Sequence, residues 1–128
     1  MGNSIDPFLY APLSLAYIGD SVYETVNRTY ALSKGSRPVK NLHRECSGRA
    51  KAYYQAQMMR SLEKELFEDE AEIFRRARNA EVNTKAKNAT MADYHMATAF
   101  EAVIGYLYLQ GKDDRMIGLI RKGWENIG

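Results

Sequence analysis

Two acidic side chains stand in surroundings that do not suit them. Asp20 interrupts the apolar run Leu15-Ala16-Tyr17-Ile18-Gly19-Asp20-Ser21-Val22-Tyr23, and Glu101 is the only charge in Ala97–Leu109. Removing an ionised carboxylate from water is costly unless a partner or a metal holds it. One arrangement accounts for both: two helices cross with Asp20 and Glu101 facing each other. A shared proton, a basic side chain or a divalent cation would relieve their repulsion. Small residues beside each acid, Gly19 and Ser21, Ala102 and Gly105, leave room for a ligand. The plainer alternative puts each acid at the solvent edge of its helix, or pairs it with one of the 18 Lys and Arg residues.

The elements needed to position this pair are helical. Prolines occur only at positions 7, 12 and 38, and no alternating strand pattern or internal repeat is present. The class is all-α. A first helix from about Ala11, with Pro12 in its first turn, runs to Ser33, and Lys34-Gly35 ends it. Its apolar positions Leu13, Ala16, Tyr17, Val22, Tyr23, Val26 and Tyr30 form no narrow stripe, which predicts a central helix buried on several sides. A short helix over Val39–Glu45 precedes a longer one over Ser47–Leu62, whose shared face is Ala50, Tyr53, Tyr54, Gln57, Met58 and Ser61.

Residues 63–72 hold six acids against one Lys, and Arg75, Arg76 and Arg78 then reverse the sign. Acids first and bases last suit the dipole of a helix over Glu68–Asn79. The basic character continues into a polar loop: Arg75 to Lys87 holds five bases and one acid. Lys and Arg mixed with Asn on a loop suit phosphate and sugar contacts. Arg75, Arg78, Asn79, Lys85 and Lys87 are therefore candidates for phosphate and sugar contacts, against the plainer reading of a solvated loop, which commonly has this composition. The Glu101 helix spans Met91–Leu109, apolar on nearly all sides, and reads as a core or dimer-interface helix. A last helix over Asp113–Asn126 turns Met116, Ile117, Leu119, Ile120, Trp124 and Ile127 inward.

With 128 residues the chain suits one domain with a real core. A net charge of +2 does not by itself identify a polyanion partner. The lone Cys46 excludes an intramolecular disulfide and fits a reducing compartment, and the lack of a Cys/His cluster argues against zinc. The start, Met1-Gly2-Asn3-Ser4-Ile5-Asp6, has Asp6 where a myristoylation signal needs Ser or Thr. No apolar run is long enough to span a membrane, so the expected location is the cytoplasm.

Ile18-Gly19-Asp20-Ser21-Val22 resembles the core of the ribonuclease III motif, and Ala99 to Leu109 is similar to that family's second acidic motif, in the same order and at similarly wide separation. The stretch from His43-Arg44 to Met59 is similar to the helix after the first motif. Arg78-Asn79-Ala80 with Thr84 to Asn88 resembles the small branch called Mini-ribonuclease III, which is the catalytic domain without an appended double-stranded-RNA-binding domain. The resemblance spans nearly the whole chain. It departs at two places: the larger family carries acids where this chain has Ala16 and Thr98, so only Asp20 and Glu101 match its acidic set.

The resemblance implies a ribonuclease III-like catalytic domain over residues 1–128, with Asp20 and Glu101 as catalytic residues and metal ligands. It implies Mg²⁺, with Mn²⁺ as a substitute, a homodimer, and hydrolysis of double-stranded or structured RNA to 5′-phosphate and 3′-hydroxyl ends. For the small branch the implied substrate is precursor of large-subunit (23S) ribosomal RNA, with a large-subunit ribosomal protein as a candidate further partner. Glu24, one helical turn after Asp20 on the same side, is the candidate for a further metal contact, against a plain i,i+4 pair with Arg28. The competing reading is a catalytically inactive helical dimer that binds structured RNA or a ribosomal protein.

Overall fold

A computed structural model of the chain describes residues 5–80 and 90–128. Its regular elements are helices: α1 (Pro12–Ser33), α2 (Val39–Ala50), α3 (Ala52–Leu62), α4 (Glu68–Arg78), α5 (Met91–Leu109) and α6 (Asp113–Ile127). Single 3₁₀ turns at Pro7–Leu9 and Glu63–Glu65, not anticipated from the sequence, precede α1 and link α3 to α4. No strand occurs among the described residues.

The helix ends follow local chemistry. Pro12 opens α1, where its missing N–H would have had no partner anyway. The Thr90 side chain accepts the Asp93 N–H at 3.0 Å and so caps α5. Gly111, in the left-handed region at φ 73°, ends α5. The α2–α3 boundary differs from expectation. It falls at Lys51, whose ψ of 144° breaks the helix, and not near Cys46. Neither Gly nor Pro marks the spot, so the sequence carries no signal for it.

The central helix is α5, not α1. Residues 96–100 and 102–107 of α5 are all buried, packed against α1, α3, α4 and α6. This explains its all-round apolar character within one copy of the chain, and leaves little of it for a twofold interface. By contrast, α1 buries a single stripe, Leu15, Ala16, Gly19, Tyr23, Asn27 and Ala31, at helical spacing. Leu13, Tyr17 and Tyr30, expected inside, are exposed, Tyr17 at 83%. The buried face of α3 is likewise shifted, to Gln55, Ala56, Met58, Met59 and Leu62. On α6, Met116, Leu119 and Ile120 are buried as expected, whereas Ile117 and Ile127 are exposed.

Polar ties lock the outer helices around α5. Glu70, buried near the start of α4, accepts from Arg115 of α6 at 2.8 and 3.0 Å and from the Phe67 N–H at 2.9 Å. Tyr106 of α5 donates to Asp69 at 2.7 Å, and Arg60 at the end of α3 pairs with Asp93 of α5 at 2.8 Å. The acidic run after Leu62 is thus structural, as the helix-dipole argument predicts.

Candidate active site

The position of the acid pair is set by two glycines. A Cβ on Gly19 would run into the carbonyl of Glu101, and a Cβ on Gly105 would run into the carbonyl of Leu15. The α1 and α5 backbones therefore touch where they cross, closer than any larger residue permits. The space beside the acids that the sequence suggested for a ligand is filled by the opposing helix. Asp20 follows Gly19, and Glu101 lies one turn before Gly105, so the crossing brings the two carboxyls within hydrogen-bonding reach.

Their surroundings differ. Asp20 is exposed, and Glu101 is half-buried. The expectation that Asp20 faces the core is corrected accordingly: it stands at the rim of the crossing and Glu101 in its floor. Burial pushes the Glu101 carboxyl up to about 9, the hydrogen bond and charge of Asp20 push the same way, and a hydrogen bond from Gln55 opposes them. At neutral pH the pair keeps a proton on Glu101 when no cation is bound.

Gln55 is the site residue that sequence reasoning missed. It is 3% exposed and sits on the buried face of α3 with Ala56, Met59 and Leu62. An amide in an apolar stripe needs a polar partner inside, and that pattern is the signal that could have found it. Ala16 and Thr98, where the larger family carries acids, are both buried.

Glu24 pairs with Arg28 at 2.8 Å, the i,i+4 alternative weighed against a metal contact. Arg75 is exposed and pairs with Glu72 at 2.6 Å. Arg78 lies 4.0 Å from Glu63 and 5.1 Å from the centre of the Phe74 ring. Asn79 ends α4. Lys85 and Lys87 lie outside the described residues.

The donor set fits a hard cation. Two carboxylates offer the oxygen ligands that Mg²⁺ and Mn²⁺ prefer, and the repulsion that raises Glu101 is what a cation would relieve. Among the described residues no third Asp, Glu, His or Cys completes a cluster with them.

The Ribonuclease III domain model matches residues 13–112, which contain both acids and the glycine crossing. The chain belongs to the ribonuclease III family. It is 50% identical over 106 residues to Mini-ribonuclease 3 of Clostridium tetani, covering 82% of this chain and 70% of that protein. Mini-ribonuclease 3 of Brevibacillus brevis is 40% identical over 119 residues, covering 93% of this chain and 89% of the relative. The crystal structure of protein FN1578 from Fusobacterium nucleatum superposes with a TM-score of 0.84 at 31% identity, covering 92% of this chain and 96% of that one. The match to the small branch is therefore borne out, and the chain is a ribonuclease III-type endoribonuclease. The family is generally dependent on a divalent metal and acts as a dimer on structured RNA. No helix among the described residues is long and apolar enough to cross a membrane.

Proposed function

We propose that residues 1–128 form a single catalytic domain that works as a homodimer in the cytoplasm. It cleaves double-stranded or structured RNA to 5′-phosphate and 3′-hydroxyl ends, and its substrate is precursor of the large-subunit (23S) ribosomal RNA. A large-subunit ribosomal protein is the further partner that would present this RNA. The observation that supports the reading is the carboxyl pair held across the Gly19–Gly105 crossing.

In this reading Asp20 and Glu101 are the catalytic residues and hold Mg²⁺, or Mn²⁺ in its place. The metal, when bound, supplies Lewis-acid polarisation of the scissile phosphate and a more acidic water. The chain's own residues do the rest. Glu101 would hold the cation as a carboxylate, its proton passing to solvent, and Gln55 fixes the orientation of that carboxylate. Asp20 is the solvent-exposed acid of the pair and would meet the RNA phosphate. Glu24 contributes a further metal contact by releasing Arg28.

Arg75, Arg78 and Asn79 at the end of α4, continued by Lys85 and Lys87, hold the RNA backbone. Duplex RNA is gripped mainly through phosphates and 2′-hydroxyls, which suits cations and amides over base-reading side chains. Tyr17 and Leu13 are the exposed apolar residues of α1 that dimerisation would cover. The test is incubation of an end-labelled duplex RNA and a structured 23S precursor with the protein, in Mg²⁺ and in EDTA, with mapping of product ends. Metal-dependent internal cuts with 5′-phosphates support the reading. Binding without cleavage of either RNA overturns it.

A further inference from the structure

At the C-terminal end of α1, about 15 Å along the helix axis from Asp20, lies a cleft that the acid pair does not use. It has a volume of about 350 Å³ and is lined by Tyr30, Lys34, Arg49, Tyr54, Arg121 and Trp124, together with one carboxylate, Glu125. That size falls within the roughly 300–1,000 Å³ of small-ligand sites. Three aromatic rings and three cations in one cleft are an unusual lining.

Its walls are fixed by hydrogen bonds. Trp124 Nε1 donates to the Tyr23 hydroxyl at 3.0 Å, and that hydroxyl donates to the Arg49 carbonyl at 2.8 Å. The Tyr30 and Trp124 rings lie 4.8 Å apart between centroids. The Arg49 guanidinium sits over both, 5.2 and 5.1 Å from their centres, and is committed to Asn27 at 2.7 Å and Glu45 at 2.8 Å. Arg49 is thus part of the wall. Lys34 is exposed, pairs with Glu45 at 3.2 Å and lies 4.5 Å from the centre of the Tyr30 ring. Glu45 is shared with Arg49 and Arg37, so one carboxylate serves three cations and positive charge is left in excess there. Arg121 is exposed and is in no ion pair among the described residues.

Aromatic surface beside an excess of positive charge is the chemistry that holds a base and its phosphate without reading sequence. We propose that this cleft holds one unpaired nucleotide of the RNA substrate, its base on the Tyr30, Tyr54 and Trp124 rings and its phosphate on Lys34 and Arg121. The proposal rests on the nuclease reading for its source of RNA. It adds a subsite for single-stranded sequence flanking the duplex that is cut.

Trp124 is the only tryptophan in the chain, so its fluorescence reports on this cleft alone. The metal-free protein is titrated with a five-nucleotide single-stranded RNA, with adenosine 5′-monophosphate and with inorganic phosphate. The account expects both the oligonucleotide and the mononucleotide to quench Trp124, with phosphate alone giving no quenching. Arg121→Glu and Tyr30→Leu should each weaken the oligonucleotide about tenfold and leave cleavage of a blunt duplex unchanged. Quenching that neither substitution alters overturns the proposal, as does a lack of quenching by the oligonucleotide. The titration needs no cleavage, so failure of the nuclease reading in the duplex assay is seen separately.

Discussion

Glu70 and Glu101 are both glutamates taken out of water inside one helical bundle, and the chain treats them in opposite ways. Glu70 receives a two-pronged Arg115 guanidinium and a backbone N–H, so its charge is answered at every oxygen. Glu101 receives one amide and a second acid, and its carboxyl is pushed up to about 9. A compensated carboxylate ties α4 to α6. An uncompensated one costs stability, a cost that the cation of the proposed function would relieve. In the proposed function, the difference separates the acid that holds the fold from the acid assigned to the chemistry.

The largest change should come from the crossing that both helices depend on. Gly105→Ala places a Cβ against the Leu15 carbonyl, which cannot move as a side chain would. The expected cost is about 3 kcal/mol or more, read by chemical denaturation, with Gly19→Ala comparable. A loss under 1 kcal/mol would mean that the crossing can open.

Arg115→Met comes next. It strands Glu70 as a buried, unpaired charge, and should cost about 3 kcal/mol, measured as the shift in denaturation midpoint. Unchanged stability would erase the contrast with Glu101.

The third effect has the opposite sign. In EDTA, Glu101→Gln should stabilise the protein at neutral pH, by up to about 3 kcal/mol. Glu101 keeps its proton in the folded state up to about 9, whereas the unfolded chain releases it near 4.5. Between those values the folded state binds more protons, so wild-type stability falls as pH rises, and the variant lacks that slope. Thermal melts from pH 5 to 9 check this. Parallel curves for the two proteins would show that Glu101 is not strained.

Much of this was legible in the sequence. Periodicity and stop signals placed α5 at Met91–Leu109 and α4 and α6 to within a residue, and the two acids stood out as charges in apolar runs. What escaped depends on pairing. Exposed Tyr17 and buried Leu15 are equally apolar as letters, and only the location of α5 decides between them. Gly19 and Gly105 read as open space, because a glycine looks the same whether a ligand or a backbone fills the gap. Gln55 was hidden by a one-residue rotation of the α3 face, which followed from the unsignalled break at Lys51.

The central claim is that Asp20 and Glu101 act together on RNA. It is tested most directly by cleavage and binding of one end-labelled duplex by wild type, Asp20→Asn and Glu101→Gln, in Mg²⁺ and in EDTA. The account predicts cutting by wild type in Mg²⁺ alone, with both variants reduced by at least about 10³-fold, a loss of roughly 4 kcal/mol of transition-state stabilisation, while duplex affinity stays within about threefold. Cleavage retained in either variant, or cleavage by wild type in EDTA, would contradict it.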